Sequence, residues 1–233
     1  MKTLVMLPTY NEKDNIAKIV DKILELPDTG IVIVDDDSPD GTGNIADALA
    51  KERGEIFVVH RKERGRGTAG VVGLKKCLDL GADYVIEMDA DLSHDTSYIP
   101  VFMKEIQDCD VVLGSRFVNG GEDAERGTFR KIITRISRLV HAVGLRVKIK
   151  DMGSGFKCYR ASALKAVNLD NFVARGGPGI CIELNYKIAR AGLKIKEYPI
   201  KFTDRKKGSS KLRMKDIMEA LVLVAKINLG KVK

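Results

Sequence analysis

Tryptophan is absent from this chain of 233 residues, and aromatic residues make up only 6% of it. Proteins that bind single-stranded nucleic acid stack the bases on aromatic side chains, so the composition argues against that function. The formal net charge of +8 keeps a basic nucleic-acid-binding protein open as an alternative, because a basic surface attracts nucleic acids, anionic membranes and phosphorylated substrates alike. The charge therefore indicates an acidic partner without identifying it.

Cysteine and histidine are also scarce and widely spaced. The four cysteines form no C-x-x-C pair, which argues against a zinc site and predicts free thiols in a reducing compartment. Three of them lie in apolar segments and are expected in the core: Cys77, Cys109 and Cys158. The histidines lack partners at ligand spacing, which favours structural roles for His60, His94 and His141.

Long hydrophobic runs are missing as well. The amino-terminal segment MKTLVMLPTYNE has no apolar stretch long enough for a signal peptide. The longest late run, ALVLVA at 220–225, is far shorter than the roughly 20 apolar residues of a membrane-spanning helix. We therefore expect a cytoplasmic protein, or one attached peripherally to the cytosolic face of a membrane.

The first half of the sequence alternates between apolar segments of strand length and amphipathic segments of helix length. The apolar segments are TLVMLP, GIVIVDD, IFVVHR, YVIEMDA and DVVLGSR. Continuous apolar strands separated by amphipathic helices predict an α/β fold, with a mostly parallel sheet that is covered by helices on both faces.

Polar clusters follow four of these predicted strands. PTYNE follows the first strand, DDDSPDGT the second, DAD the fourth and GSR the fifth. Ligands of such sheets bind at the carboxyl ends of the strands. The four clusters therefore predict one binding site along this edge of the sheet.

Two carboxylates stand two residues apart in EMDADLSH, directly after the fourth apolar segment. Asp89 and Asp91 would repel each other unless a cation or a proton lay between them. One of them could instead cap the next helix, but Ser93 or Asp95 is closer to the start of that helix. Carboxylate oxygens suit Mg²⁺ or Mn²⁺, which take further ligands from water and substrate phosphates. We therefore predict a site for a divalent cation and a diphosphate.

The segment GRGTAG at 65–70 matches the G-x-G-x-x-G pattern of dinucleotide-binding turns. That turn belongs directly after the first strand of its fold, whereas this segment follows the third strand, behind the charged residues RKER. We expect instead a loop whose glycines permit a tight turn and whose cations lie near a phosphate-bearing ligand.

After residue 117 the pattern becomes more basic. A predicted helix at about 130–145 carries an apolar stripe that is flanked by Arg130, Lys131, Arg135 and Arg138. A last predicted helix contains ALVLVA between basic residues. Helices of this type lie on an anionic membrane surface or pack their apolar stripe against the sheet, and both interpretations remain open.

Six motifs occur in the order LPTYNE, VDDDSPDGT, MDADLSH, LGSRF, SGFKCYR and DRKKGSSKL. With them the chain resembles the family 2 glycosyltransferases, and more narrowly the dolichyl-phosphate mannosyltransferases, from residue 3 to about 225. The resemblance implies a single GT-A domain over 1–233. Within it, 1–117 would be the nucleotide-sugar-binding half, and 118–233 the acceptor-binding half with the C-terminal helix.

The resemblance also implies roles for individual residues. The donor-binding residues would be Pro8, Tyr10, Glu12, Val34, Asp36, Asp89, Ala90, Asp91, Arg205 and Lys211. The metal ligands would be Asp89 and Asp91, with Mg²⁺ or Mn²⁺ as cofactor. The acceptor phosphate would meet Arg116 and Arg130, and the catalytic residues would be Asp91, Arg116 and Arg205.

Two positions depart from the pattern of the resemblance. Some relatives have a longer amide side chain where this chain has Ser93, and RGGPGICIE lacks the aromatic residues that often precede the glutamate at Glu183. Both departures bear on sugar and lipid preference.

The implied reaction is an inverting transfer of a sugar, mannose from GDP-mannose, to a dolichyl or polyprenyl phosphate. A phosphate-monoester acceptor has a second pKa of about 6, so it needs cations to approach the donor more than it needs a general base. The alternative among enzymes is a transferase that uses UDP-glucose or UDP-N-acetylglucosamine with a different acceptor. The implied partners are the nucleotide sugar, the lipid phosphate, the membrane surface and, as in some short relatives, a small membrane-spanning subunit, but no nucleic acid.

Overall fold

A computed structural model describes residues 1–123, 138–174, 176–202 and 222–230. Its strands are β1 (Thr3–Thr9), β2 (Thr29–Asp35), β3 (Ile56–His60), β4 (Tyr84–Glu87), β5 (Val111–Ser115), β6 (Glu122–Asp123), β7 (Lys157–Arg160), β8 (Ile195–Pro199) and β9 (Lys201–Phe202). Its helices are α1 (Ile16–Leu24), α2 (Thr42–Glu52), α3 (Arg66–Asp79), α4 (Tyr98–Glu105), α5 (138–145), α6 (Ala161–Ala166), α7 (Gly177–Arg190) and α8 (222–228).

The main sheet has the strand order β3-β2-β1-β4-β7-β5-β8, and β6 pairs with β9 in a second, small sheet. The interior strand β1 pairs in parallel with both β2 and β4. Every residue of β1 is buried, as expected for a strand that is covered on both faces. The mostly parallel sheet predicted from the sequence is confirmed.

Alternate residues of β1 enter two different hydrophobic cores, because successive side chains of a strand point to opposite faces. Val5 and Leu7 pack with buried residues of α1, α2 and α4. Leu4 and Met6 pack with buried residues of α3, α6 and α7 on the other face. Helices therefore cover both faces of the sheet, as predicted.

The second half of the chain contributes strands to the same sheet. The strand β7 lies between β4 and β5 and is antiparallel to both, an insertion that the apolar pattern did not predict. The segment 193–202 contains two strands, β8 and β9, which are separated at Ile200. The helix α7 begins at Gly177, with Pro178 in its first turn, where the missing N–H of proline costs no hydrogen bond.

The structure also bears on the predicted positions of the cysteines and of the two basic helices. All four cysteines are free and buried, which confirms the core positions predicted for three of them. Of the helix predicted at about 130–145, the described part is 138–145, and of the last helix it is 222–228. Within the described ranges, no helix has the length and apolar character needed to cross a membrane.

Candidate active site

The polar clusters after β1 and β2 are tied together by Asp35. Its carboxylate accepts hydrogen bonds from Oγ1 of Thr9 at 2.9 Å and from Oγ of Ser38 at 2.7 Å. The main-chain N–H of Ser38 donates to the same carboxylate at 3.0 Å. Because Asp35 is buried and accepts three hydrogen bonds, its role is to fix the two loops against each other.

Asp36 connects the end of β2 to the start of α3. It is buried, and its carboxylate accepts the main-chain N–H of Gly65 at 2.7 Å. Arg61 forms an ion pair with it at 3.1 Å. Burial raises the pKa of Asp36, although the hydrogen bond from Gly65 and the charge of Arg61 act to lower it. The side chain of the neighbouring Val34 is fully buried under α3, so a ligand at this position would meet its main chain.

The remaining residues predicted at this end of the site differ in exposure. Tyr10 is the most accessible, with the guanidinium of Arg64 4.8 Å from the centre of its ring. Glu12 is half-buried, and its carboxylate accepts a hydrogen bond from Nδ2 of Asn15 at 2.9 Å. Pro8 is buried within β1. The structure therefore brings Tyr10 and Glu12 to the rim of the edge formed by β1 and β2.

The loop after β4 holds Asp89 and Asp91, which are both partly exposed, whereas Ala90 between them is buried. The carboxylate of Asp91 accepts the main-chain N–H of Ser93 at 3.0 Å and its hydroxyl at 2.5 Å. Leu92 has a positive φ of 63°, a conformation that costs free energy for a residue with a side chain. The loop is thus folded tightly around Asp91.

Ser93 and Asp95 were both candidates to cap the helix that follows. Oδ1 of Asp95 accepts the main-chain N–H of Ser97 at 2.9 Å, immediately before α4. Ser93 contacts Asp91 instead. The N-cap residue of α4 is Ser97 and the helix has no side-chain cap hydrogen bond, so the prediction that Ser93 or Asp95 caps it is wrong. The Ser93 hydroxyl therefore stabilises the loop that carries Asp89 and Asp91.

His94 supports the same loop from below. The main-chain N–H of Asp89 donates to its Nδ1 at 3.1 Å, and its ring stacks on Phe156 with the ring centres 4.9 Å apart. Burial lowers the pKa of His94, while the charges of Asp89 and Asp91 act to raise it. A lowered pKa is consistent with an unprotonated Nδ1 that accepts a hydrogen bond. The predicted structural role of His94 is confirmed.

Arg66 contacts the carboxylates of this site, although the sequence predicted only that cations near GRGTAG lie close to a phosphate-bearing ligand and did not single out this residue. Its Nε donates to Oδ1 of Asp89 at 3.0 Å, and Nη1 donates to Oε1 of Glu87 at 2.9 Å. Nη1 also contacts Sγ of Cys181 at 3.1 Å, and Nη2 contacts the carbonyl oxygen of Gly155 at 3.4 Å. A cation therefore lies against Asp89 within the protein itself. The sequence signal was an arginine between two glycines of GRGTAG, and nothing in that segment indicates its partners.

Glu87 is buried beneath Asp89. Its Oε2 accepts hydrogen bonds from the hydroxyl of Tyr159 at 2.8 Å and from Nζ of Lys157 at 3.3 Å. Burial acts to raise the pKa of Glu87, but the charges of Lys157 and Arg66 outweigh it and lower the pKa. Glu87 is therefore ionised, and it anchors the guanidinium that binds Asp89.

GRGTAG lies at the start of the helix that the alternating pattern predicts after the third strand. Arg66 is the first residue of α3, and Gly67 lies within it. A Cβ on Gly67 would lie 2.8 Å from the Cα of Gly177 in α7, closer than real Cβ contacts, so this glycine permits the close packing of the two helices. The tight turn expected at these glycines does not form. Their position after β3 remains the argument against a dinucleotide-binding turn.

Arg116 follows β5 and faces the site from the other side of β7. Its guanidinium is paired with Asp151 at 2.7 Å and lies 5.0 Å from the ring centre of Phe117. Burial acts to lower the pKa of Arg116, but the hydrogen bonds and charge of Asp151 raise it. The guanidinium of Arg138 in α5 lies 4.5 Å from the centre of the same Phe117 ring. Three further predicted phosphate-binding residues lie outside the described residues: Arg130, Arg205 and Lys211.

The residues of the loop after β4 fit a divalent cation that also binds a diphosphate. Mg²⁺ takes one or two carboxylates from a protein and completes its shell with water and substrate phosphates. Asp89 and Asp91 supply two such carboxylates, partly exposed on a loop that Ser93 and His94 hold in shape. In the part of the chain that the structure describes, no three His, Cys, Asp or Glu side chains are grouped to hold a metal. The arrangement therefore suits a cation that is shared with a ligand.

Comparison with known proteins identifies the family. The model of glycosyl transferase family 2 matches residues 4–167. The chain belongs to this family. It is 35% identical over 232 residues to the undecaprenyl-phosphate mannosyltransferase of Micrococcus luteus, a match that covers 99% of this chain and 95% of that protein. The polyprenol monophosphomannose synthase of Mycolicibacterium smegmatis is 34% identical over 96% of this chain and 86% of its own length.

A third relative is longer than this family 2 chain. The dolichol-phosphate mannosyltransferase of Pyrococcus furiosus is 34% identical over 95% of this chain, and the match covers 62% of that protein. The match to this longer relative therefore includes nearly all of this chain.

Solved structures confirm the GT-A fold. The glucosyl-3-phosphoglycerate synthase of Mycobacterium tuberculosis, in complex with Mn²⁺, UDP-glucose and phosphoglyceric acid, aligns with a TM-score of 0.66 at 18% identity, over 98% of this chain and 80% of that one. A mannosyltransferase of Pyrobaculum calidifontis, in complex with GDP-Man and Mn²⁺, aligns with a TM-score of 0.61 at 18% identity, over 90% of this chain and 58% of that one.

Proposed function

We propose that this family 2 enzyme transfers mannose from GDP-mannose to a polyprenyl phosphate, with inversion at the anomeric carbon. One observation carries the proposal: three relatives that match 95% or more of the chain all have names that join mannose to a polyprenyl phosphate. The bound GDP-Man and Mn²⁺ of the Pyrobaculum calidifontis structure support a sugar nucleotide and a divalent cation as the ligands of this fold.

The donor would lie across the carboxyl ends of β1, β2 and β4. Tyr10 and Glu12 stand at the rim of this edge, where the nucleoside would bind, and Asp36 closes its floor. Asp89 and Asp91 would hold Mg²⁺ or Mn²⁺, which would neutralise the charge that develops on the leaving diphosphate. This assignment uses the two partly exposed carboxylates of the loop after β4.

The acceptor would approach from the side of β5. A phosphate monoester is largely a dianion at neutral pH, so its oxygen can attack the anomeric carbon without a general base. The protein must instead bring two anions together. Arg116, which Asp151 holds in position, would serve this purpose through its positive charge. Arg130, Arg205 and Lys211 are proposed for the same task.

A polyprenyl acceptor also implies a position at a membrane surface. We propose peripheral attachment through the exposed apolar side chains of α5 and α8, which include Leu139, Val143 and Val222, together with Leu229 just after α8. The basic residues around them would add attraction to anionic lipid, at roughly 1 kcal/mol for each residue near the surface.

A transfer assay tests the proposal. The purified chain is incubated with radiolabelled GDP-mannose, UDP-glucose or UDP-N-acetylglucosamine and a short polyprenyl phosphate, with Mg²⁺, Mn²⁺ or EDTA. We expect lipid-linked product from GDP-mannose with either cation and none in EDTA. Product from a UDP-sugar alone would replace the proposed donor, and turnover in EDTA would remove the cation from the mechanism.

Two matched variants connect the assay to the loop after β4. Asp91→Asn should reduce transfer by about 100-fold or more, because one lost electrostatic contact to a transition state has effects of that size. Asp95→Asn removes the same charge four residues later, where the carboxylate accepts the main-chain N–H of Ser97 just before α4, and should leave transfer within about twofold of the wild type. Equal losses in both variants would indicate general damage to the loop.

A further inference from the structure

We propose that Arg66 is a positioning residue that makes binding of the divalent cation depend on the donor diphosphate. Its fixed positive charge holds Asp89 in place, opposes a cation that arrives alone and favours a diphosphate. The inference rests on the proposed function, because it takes Asp89 and Asp91 as carboxylates of the cation and diphosphate site.

The geometry places the guanidinium in direct contact with one of these carboxylates. Both Nε and Nη2 of Arg66 lie 3.0 Å from Oδ1 of Asp89. The third nitrogen, Nη1, lies 2.9 Å from Oε1 of Glu87. Arginine thus bridges a buried carboxylate and a partly exposed one, with side-chain exposures of 4% for Glu87 and 24% for Asp89.

The Arg66 side chain is 30% exposed, but its contacts inside the protein oppose its movement away when a cation arrives. Arg66 begins α3, whose first turn packs on α7. If it left, Glu87 would lose one of its two cationic partners inside the protein, and an ionised carboxylate that loses a partner in the interior is strongly destabilised. Lys157 is the other partner, and it is fully buried and fixed.

A fixed cation beside Asp89 has effects of opposite sign on the two ligands. It repels a divalent cation and partly neutralises the carboxylate that would bind it. The same charge attracts the diphosphate, which carries negative charge into the site. A cation alone should therefore bind weakly, and it should bind well once the diphosphate offsets the charge of Arg66. This is a coupling between two ligands, and it is reciprocal.

The test measures each ligand separately in the full chain. Mn²⁺ binding without nucleotide is followed by electron paramagnetic resonance, and GDP binding in EDTA by calorimetry. In Arg66→Gln we expect Mn²⁺ to bind about threefold to tenfold more tightly and GDP to bind more weakly by a similar factor, since one charge a few ångströms away has effects of this order. Arg66→Lys retains the charge and should shift neither affinity by more than about twofold.

Two controls separate this effect from net charge and from folding. Arg53→Gln also removes one positive charge, from an exposed pair with Asp21 just beyond the end of α2, and it should change neither affinity. Thermal unfolding reports whether each variant is folded. Arg66→Met, whose unbranched side chain keeps the packing of the arginine stem, is the second neutral variant if Arg66→Gln does not fold.

The outcomes distinguish the inference from the proposed function. Weaker binding of both ligands in the neutral variants would mean that Arg66 only supports the structure, and unchanged affinities would mean that its charge does not act on the site. Either result overturns the inference while the wild type still binds GDP and Mn²⁺. A wild type that binds neither ligand would overturn the proposed function together with the inference.

Discussion

Arg116 and Asp151 form a two-pronged pair: Nε donates to Oδ2 at 2.8 Å and Nη2 donates to Oδ1 at 2.7 Å. The main-chain N–H of Arg116 donates to the same carboxylate at 3.1 Å. Both side chains are largely buried, with exposures of 12% and 2%. The carboxylate therefore determines the direction in which the guanidinium points, and in the function we propose Arg116 would act in the orientation that Asp151 gives it.

The first prediction follows from this pair. Asp151→Asn keeps the size of the side chain and removes its charge, which leaves Arg116 buried without its main partner. We expect the free energy of unfolding to decrease by about 3 kcal/mol, and KM for the polyprenyl phosphate to rise while the affinity for GDP stays the same. Denaturant titration and steady-state kinetics measure the two effects.

Asp123→Asn is the matched control for that variant. Asp123 approaches the same guanidinium only to 3.8 Å, so its loss should change stability and KM less. If the two variants behave alike, the orientation of Arg116 does not depend on the pair with Asp151.

The second prediction concerns the packing of α3 on the sheet. A Cβ at Gly73 would lie 2.3 Å from Cγ of Met6 and 3.0 Å from Cγ2 of Val34. Gly73→Val should therefore overpack this interface and lower the free energy of unfolding by about 2–3 kcal/mol. Gly54→Val is the control, because a Cβ there meets no atom within 4 Å. Equal melting temperatures for the two variants would contradict the close contact.

The glycines of α3 show where sequence interpretation reaches its limit. Gly67 belongs to a segment that matches a turn pattern and Gly73 follows it in the same helix, yet their partners are Gly177 and Met6, far away in the sequence. The local sequence shows that a small residue is present. It does not show which distant backbone or side chain packs against that residue, because this contact depends on the final fold.

The site shows the same division. The position of Asp89 and Asp91 at the edge of the sheet could be predicted, because they directly follow an apolar strand and strand ends in a parallel sheet meet at one edge. Arg66 could not be paired with Asp89, since the contact depends on how α3 sits over β4. The pairing of Arg116 with Asp151 likewise depends on the antiparallel insertion of β7, which brings the second half of the chain into the sheet.

The third prediction concerns pH. His141 is buried on α5, and its Nε2 has no hydrogen-bond partner within the described residues. Burial lowers its pKa below the ordinary value of 6.5, so the unfolded chain binds this proton more readily than the folded one. Stability that is present above about pH 6.5 is therefore lost as the pH falls through the lowered pKa.

Denaturant titrations at pH 7, 6 and 5 measure this loss. We expect the free energy of unfolding to decrease towards pH 5 in the wild type, and to decrease less in His141→Leu, which cannot take up the proton. His60→Leu replaces an exposed histidine and serves as the control. The same slope in the wild type and in His141→Leu would show that the buried imidazole does not contribute.

The last prediction concerns the membrane surface. Leu139 and Val143 are 65% and 70% exposed on α5, and their spacing of four residues places them on one face of the helix. α5 contacts α8, where a Cβ on Gly144 would lie 2.4 Å from Cγ1 of Val224. The exposed apolar face is therefore part of a packed pair of helices, and it offers area that a lipid interface would remove from water.

A double variant, Leu139→Gln with Val143→Gln, tests this face with two acceptors. Co-sedimentation of the wild type with vesicles should increase with anionic lipid and decrease with salt, and the double variant should bind several-fold less. Transfer to a vesicle-embedded polyprenyl phosphate should fall with it, whereas transfer to a short, water-soluble acceptor should stay unchanged because the site is intact. If the wild type ignores anionic vesicles at low salt, and transfers to the embedded acceptor only when a small membrane-spanning subunit is added, the attachment is through that partner and the exposed face is its docking surface.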